Sequence, residues 1–368
     1  MNDTLQVAVD STDDPFADFF AAACENQWTD GLPVIPPTPE RVARFVEMVD
    51  RDPEQVVAVM PPRQGPATVR GIAANAVMAG CLPEYFPVVL AAVEAINDPG
   101  FPLATLVGMR PETPFFLVNG PVRGKIGLEC GRGCLGPGWR ANATIGRALR
   151  LIMINLGGLA PGTYARSCFA SPLQYTFCAG EDEASSMWEP FHVEHGFRAD
   201  ESVVSVFRVT SYTALFAPLD WDQSPQGLLQ HTGLSMGSPG NTAMYAGSLS
   251  CLLVFNHERV KLLSDAGISK ADAKGMLHEY SMLPQSCFRK GDLDALDKHG
   301  RLRGDKVTLV DSPDDIHIAV MGGPGIHSVY LPGFAHETIP HAPVSKPIAV
   351  TTALPRGEGG SSNLPEGR

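Results

Sequence analysis

The sequence predicts an α/β or α+β protein in which helices pack on a mixed sheet. Apolar runs typical of buried strands occupy residues 115–118, 203–209, 252–255, 306–310 and 316–321. Helical patterns separate these runs, and the clearest one covers residues 141–156, with Gly157 and Gly158 as its stop. Because strand and helix patterns are interleaved along the chain, we expect mixed architecture rather than a helical bundle or an all-strand fold.

Several of the predicted helices have start signals. Thr38 is expected to cap one helix, and Asn256 to cap another over residues 257–263. Ser269 with Asp272 three residues later resembles a capping box. Further helical patterns cover residues 15–24, 69–79 and about 83–96.

The chain also shows signs of internal organisation. The Gly-Pro pairs at 120–121 and 323–324 each follow an apolar strand and precede apolar residues at matching spacing. This similarity indicates two related α/β halves, residues 15–160 and 161–345. Flexible tails are expected at the two ends, over residues 1–14 and 346–368.

The composition excludes several classes of function. The 368 residues have a net charge of −12 and no run of Lys and Arg, so binding to nucleic acid or an anionic membrane is not expected. No apolar stretch reaches the roughly 18 residues of a membrane span, and the acidic N-terminus is unlike a signal peptide. We therefore expect a cytoplasmic protein whose eight cysteines are mostly reduced.

The glycine-rich segment around residues 130–140 contains the first candidate site. Cys130 and Cys134 are separated by three residues, two of them glycine, and Arg140 follows at the start of a predicted helix. Thiols near arginines and a helix N-terminus are expected to have thiolate character, as a nucleophile, a redox centre or a soft-metal ligand requires. The alternative is a pair of thiols that the loop merely tolerates, and no metal site is assigned.

Other residues are candidates for substrate binding. Arg140 and Asn142 flank a helix start and suit a carboxylate or a carbonyl oxygen. Backbone N–H groups around Gly323 suit an anion, with Ser328 as a donor and His327 as a general base. Three further candidates for the wall of the site are Asn119, Asp30 and Trp139.

The segment from Tyr175 to Phe197 is rich in acid–base groups. Cys178 follows an aromatic run and is a second candidate nucleophile. His192 and Glu194 lie two residues apart, so on an extended segment they would point the same way as an acid–base pair. His257 is a further proton-transfer candidate because it lies where a strand meets a helix.

Four segments resemble a family of poorly characterised bacterial proteins. They are residues 28–38 (WTDGLPVIPPT), 75–81 (NAVMAGC), 136–148 (GPGWRANATIGRA) and 322–328 (GGPGIHS). Members of this family are similar to proteins found with, or joined to, a UGSC-type thiol/selenol protein. The resemblance implies thiol or selenol redox chemistry on a small organic substrate, although this chain has no Cys-Gly-Ser-Cys segment of its own.

These observations predict an enzyme that acts on a small carboxylate- or carbonyl-bearing molecule by cysteine-dependent redox or nucleophilic chemistry. One alternative is an acid–base or metal-dependent hydratase, lyase or hydrolase, and another is a non-catalytic subunit with a thiol/selenol redox partner. No dinucleotide, Walker, zinc-protease or serine-hydrolase motif is present, so these motifs do not identify a cofactor, and its identity stays unknown. The apolar composition is compatible with a homodimer.

Overall fold

The computed structural model describes residues 14–101, 103–106, 112–216, 224–240, 250–333 and 342–349. The α-helices of these ranges are α1 (Pro15–Glu25), α2 (Pro39–Val46), α3 (Val69–Ala79), α4 (Phe86–Ile96), α5 (Val122–Ile126), α6 (Arg140–Asn155), α7 (Phe191–Glu194), α8 (Pro225–Met236), α9 (His257–Asp265), α10 (Lys270–Tyr280) and α11 (Lys290–Lys298). The strands are β1 (Val56–Met60), β2 (Gly65–Thr68), β3 (Thr113–Asn119), β4 (Cys178–Gly180), β5 (Val203–Val209), β6 (Thr213–Phe216), β7 (Cys251–Phe255), β8 (Leu283–Pro284), β9 (Leu302–Arg303), β10 (Lys306–Val307), β11 (Ile316–Val320), β12 (His327–Pro332) and β13 (Val344–Pro347). No helix among the described residues is long and apolar enough to cross a membrane.

Two four-stranded sheets have the same strand arrangement. The first sheet has the order β4-β3-β5-β13, and the second has the order β11-β7-β12-β6. Reading each in that order, the first pair is parallel and the next two pairs are antiparallel. The described part of the chain therefore contains two mixed sheets of one topology, which confirms the predicted α/β or α+β class.

The registers of the two sheets also correspond. In the first sheet, Leu117 lies between Ala179 and Ser205, and Ser205 pairs with Ser345. In the second sheet, the row at the same position consists of Ala319, Val254, Val329 and Ala214. In this correspondence β3 is equivalent to β7, and β4 is equivalent to β11. The matched Gly-Pro pairs are therefore not equivalent, because one follows β3 and the other follows β11.

The fourth strand of each sheet is the strand that follows the third strand of the other sheet in sequence. β6 follows β5 in sequence but pairs with β12, and β13 follows β12 but pairs with β5. The predicted division between residues 160 and 161 falls inside the first sheet, because β4 and β5 come after it. The predicted C-terminal tail begins too early, since Lys346 and Pro347 belong to β13. The remainder of that tail from residue 350, and residues 1–13, lie outside the described residues.

The sheets stack face to face and are covered by helices on their outer faces. Leu117 and Ala179 of the first sheet meet Val254 and Ala319 of the second in one buried cluster. The opposite face of the first sheet packs with α3, α4 and α6. That of the second packs with α8 to α11. This layering, helix on sheet on sheet on helix, follows from strands that are apolar on both faces.

Most local predictions are confirmed, and two are wrong. The predicted bounds of α3 and β5 are those observed, and the caps at Thr38, Asn256 and Ser269 all form. The run at 306–310 forms only the two-residue strand β10, in a small sheet with β8 and β9. The segment around His192 is the short helix α7 rather than extended chain.

His317 is a histidine buried in the layer between the sheets. Its ring lies 5.8 Å from that of Phe191, 5.9 Å from that of Phe207 and 5.5 Å from that of His195. Burial is the main reason that its pKa is lowered to about 3, and the charges of His195 and Lys274 act in the same direction. The corresponding position of the first sheet is Phe177, one residue before β4.

This histidine predicts a pH-dependent loss of stability. Between its folded pKa of about 3 and the unfolded value near 6.5, the unfolded chain holds the extra proton, so stability falls as pH falls through this window. We expect His317→Phe to remove up to about 1.4 kcal/mol of that loss per pH unit. Urea unfolding from about pH 7 to about pH 4 measures the difference. The exposed His231 supplies the control, His231→Phe, and equal slopes in all three proteins would refute the prediction.

Candidate active site

A cavity of about 410 Å³ opens at the carboxyl ends of the parallel strands β7 and β11. Its walls are the segments 133–136, 321–325 and 327–329, with Tyr212, Val254 and Asn256. Ligands bind at this edge in open α/β sheets because loops converge there on a rigid base. The cavity brings together four of the residues predicted from sequence: Cys134, Gly323, His327 and Ser328.

The glycine turn after β11 forms one wall. Gly322 has a φ of +95°, which favours glycine, and a Cβ on Gly323 would lie 2.2 Å from Cγ of Arg132. The N–H of Gly322 donates to the Cys130 carbonyl at 2.7 Å, and that of Gly325 donates to a carboxylate oxygen of Glu258 at 2.9 Å. Since these two N–H groups are engaged and Pro324 has none, the predicted anion cradle is reduced to Gly323.

The cysteine loop forms the facing wall, and Asn142 fixes its shape. The Asn142 amide accepts the Glu129 N–H at 2.9 Å and donates to the carbonyls of Glu129 and Cys134, each at 2.9 Å. Asn142 is 3% exposed, so these backbone contacts occupy the side chain that was expected to bind substrate. Trp139 also serves the loop, because its indole N–H donates to the Arg132 carbonyl at 3.2 Å.

Burial disfavours the thiolate form of both cysteines of the loop. Burial raises the pKa of Cys134 to about 12, and the charges of the nearby Cys130 and Glu129 also raise it. The hydrogen bond from the Gly322 N–H acts in the opposite direction and lowers it. Burial likewise raises the pKa of Cys130, although the Arg123 guanidinium opposes it. The expected thiolate character is therefore wrong for the unliganded protein. Cys134, which is 4% exposed, needs a base before it can act as a nucleophile.

Three polar side chains line the same cavity as Cys134. Tyr212 is near enough that the Cys134 charge adds to the effect of burial in raising the pKa of its phenol. Ser328 is 4% exposed, and no described residue hydrogen-bonds its hydroxyl. The exposed His327 lies with its ring 5.5 Å from that of Phe216. The cavity thus combines a thiol, a phenol, an imidazole and a free hydroxyl.

Sequence reasoning missed Tyr212 and gave Asn256 only a capping role. The Asn256 amide accepts the Arg259 N–H at 3.0 Å as the cap of α9 and donates to the Gly325 carbonyl at 2.7 Å, so it joins the two strand ends. Its position directly after β7 is a sequence signal for this edge of the sheet. Tyr212 has no comparable signal, because it reaches the cavity only through the exchange of β6.

Asn119 belongs to a separate buried centre that connects the two sheets. One carboxylate oxygen of Glu181 accepts N–H groups from the Asn119 side chain at 2.6 Å and the Phe191 backbone at 2.7 Å. The other oxygen accepts the Val320 backbone N–H at 3.2 Å, across the sheet boundary. Burial raises the pKa of Glu181 even so. Asn119 also contacts Glu183 at 3.0 Å, and its role here is structural.

The expected pair of His192 and Glu194 does not form. Two residues apart on α7, the side chains diverge, and Glu194 instead makes ion pairs with Lys270 and Lys274 of α10. His192 is fully buried, and burial lowers its pKa. Neither residue lines the cavity.

The remaining candidates also lie elsewhere. Cys178 packs in the helix-covered core of the first sheet, where burial raises its pKa. His257 is the half-buried first residue of α9 and does not line the cavity. Arg140 donates through two nitrogens to the Gly80 carbonyl, each at 3.1 Å. Within the described residues, no three side chains of His, Cys, Asp or Glu form a group suited to a metal ion.

Asp30 forms a buried ion pair with α6. Its two oxygens accept from Nη2 and Nε of Arg147, each at 2.8 Å, and Arg147 also donates to the carbonyls of Leu32 and Pro33. Burial acts to raise the pKa of Asp30, but the hydrogen bond and charge of Arg147 hold it below the ordinary value. The pair joins the segment at 28–38 to the helix that follows the cysteine loop.

Comparison with protein-family models, with curated proteins and with solved structures finds no match to this chain.

The Asp30 pair predicts a stability effect without a direct effect on the cavity. Asp30→Asn leaves the buried Arg147 unpaired, so we expect the free energy of unfolding to fall by about 3 kcal/mol. The exposed pair of Arg198 and Asp200 supplies the control, because Asp200→Asn should leave the urea midpoint unchanged. Equal midpoints for Asp30→Asn and wild type would show that the pair is not structural.

Proposed function

We propose that the protein is an enzyme that acts on a small carbonyl- or carboxylate-bearing molecule through the Cys134 thiol. The proposal is supported chiefly by one observation: a buried thiol, a phenol and an unpaired hydroxyl lie together in a cavity of about 410 Å³ at the carboxyl ends of parallel strands. That volume suits a small organic molecule.

In this proposal the Cys134 sulfur adds to the carbonyl carbon of the substrate. The thiol proton passes to the His327 imidazole, and the carbonyl oxygen takes a proton from the Tyr212 phenol, so that a neutral adduct forms. Because the resting thiol has a pKa of about 12, proton removal accompanies attack rather than precedes it. The N–H of Gly323 and the Ser328 hydroxyl are the donors available to the substrate oxygen.

A second candidate is acid–base chemistry in the same cavity with no covalent step. The raised pKa of Cys134 favours it, because a neutral thiol is a weak nucleophile. Tyr212 and His327 then transfer the protons, as in hydration or elimination, and Cys134 only packs against the substrate. The predicted thiol/selenol partner stays a prediction.

The two candidates predict different variant kinetics. With a panel of aldehydes, 2-oxo acids and thioesters followed by mass spectrometry, we expect Cys134→Ala to lower kcat/KM at least about a hundredfold if the thiol is the nucleophile. Cys287→Ala is the matched control, because Cys287 is exposed and lies outside the cavity. Cys130→Ala tests whether a dithiol is required.

Retained turnover in Cys134→Ala together with loss in His327→Gln or Tyr212→Phe would exclude the thiol mechanism and support acid–base chemistry. Alkylation gives an independent readout on the wild-type protein. The exposed Cys24, Cys168 and Cys287 should react first. Cys134 should react slowly, with a rate that rises about tenfold per pH unit from about pH 7 to about pH 9, because only the thiolate reacts.

A further inference from the structure

Arg150 of α6 lines two adjoining cavities that are separate from the candidate active site. They measure about 260 Å³ and about 130 Å³, and both are bounded by Arg150, Pro161, Ala170 and Gln174. Neither shares a residue with the cavity around Cys134. They lie between α6 and the loop that leads from it to β4.

The Arg150 guanidinium has no hydrogen-bond or ion-pair partner among the residues that the structure describes. No acceptor in the described parts of the chain lies within hydrogen-bonding or ion-pair distance of it, although Gln174 and Glu112 bound the same space. Asp30 is near enough for its charge to act on the pKa of Arg150, but both Asp30 oxygens accept hydrogen bonds from Arg147. Burial accordingly lowers the pKa of Arg150.

The Arg150 guanidinium is half-buried, so it has lost part of its hydration without gaining an acceptor, which is unfavourable. Its planar fork presents parallel N–H donors that match the two oxygens of a carboxylate. In the absence of any acceptor from the described chain, the five donors of Arg150 are available to a ligand.

The surroundings define the ligand further. The walls are largely apolar, with Leu106, Met153 and Leu159 on the larger cavity and Ile154 on the smaller one. The charged groups that border the two spaces are Arg150, Arg166, Glu112 and Asp30, so the two carboxylates offset the two guanidinium groups and a multiply charged anion meets no net positive charge. A single negative charge on an apolar body therefore fits better than a phosphate.

We propose that these cavities bind a small carboxylic acid with an apolar body, its carboxylate paired with Arg150 and its chain against the apolar walls. The site is independent of the proposed chemistry at Cys134. The class of ligand is that of medium-chain aliphatic or aromatic acids.

Titration calorimetry with octanoate tests the proposal, with octanamide as the uncharged analogue. The wild-type protein should bind octanoate saturably at about 1 mM or below, and octanamide about ten- to a hundredfold more weakly, because charge-assisted hydrogen bonds to Arg150 are lost. Absence of saturable octanoate binding, or equal binding of octanamide, would overturn it.

Two variants test separately the charge of Arg150 and the volume of the larger cavity. Arg150→Met should weaken octanoate binding about ten- to a hundredfold and leave the thermal midpoint without ligand unchanged or raised, since a half-buried charge without an acceptor is removed. Ala165→Leu keeps Arg150 but fills part of the larger cavity, and it should also weaken binding. Arg44→Met, at an exposed position on α2, is the charge-matched control and should bind like wild type.

A lowered midpoint for Arg150→Met with undiminished octanoate binding would assign Arg150 a structural role and end the proposal. If Arg150→Met does not fold, Ala165→Leu decides the question, because normal binding to that variant would place octanoate elsewhere. Turnover at Cys134 is a separate measurement, so failure of either proposal leaves the other intact.

Discussion

The exchange of one strand between the two sheets is the constraint on which the rest of the structure depends. β6 follows β5 but completes the second sheet, and β13 follows β12 but completes the first, so the first sheet cannot be completed until the chain has passed through the whole second sheet. The apolar layer between the sheets also makes each sheet depend on the other, since each sheet buries one face against the other. The Glu181 carboxylate also links the two sheets by hydrogen bonds, because it accepts N–H groups from Asn119 in one sheet and Val320 in the other. Folding of the two sheets is therefore coupled, and the cavity at their edge takes its shape from both.

α6 is the second organising element, and it explains much of what the sequence motifs do. Arg147 is paired with Asp30, Arg140 donates to the Gly80 carbonyl, and the Asn155 amide donates to the Trp28 carbonyl and to Asn75. Three of the four segments on which the family resemblance rests thus contact or form one helix. Of the residues that were expected to bind substrate in these segments, Asn142 and Trp139 hold the cysteine loop in place, whereas Asp30 and Arg140 link α6 to the neighbouring segments. The glycine turn at 322–328, the fourth segment, contributes directly to the cavity.

Local signals were sufficient for most elements, and non-local contacts account for the failures. The caps at Thr38, Asn256 and Ser269 depend on side chains within three residues of the backbone that they bond, so sequence alone finds them. Strand exchange is decided by pairing across more than a hundred residues, and no local pattern encodes it. The predicted thiolate character of Cys134 is wrong for the same reason. Arginines nearby in sequence favoured a thiolate, whereas burial under the glycine turn after β11 decides the matter.

Two sites of opposite electrostatic character result. The cavity around Cys134 contains a thiol and a phenol whose pKa values are raised chiefly by burial, and the proposed chemistry therefore depends on transferring protons among Cys134, Tyr212 and His327. The cavities around Arg150 hold a permanent charge with no described counter-charge in contact, so they suit recognition rather than proton transfer. The same physical cause operates in both, because burial disfavours the charged form of the thiol and of the guanidinium alike. A thiol responds by staying protonated, but a guanidinium cannot readily lose its proton, and this difference underlies the two proposals, proton-transfer chemistry at the one site and an anionic ligand at the other.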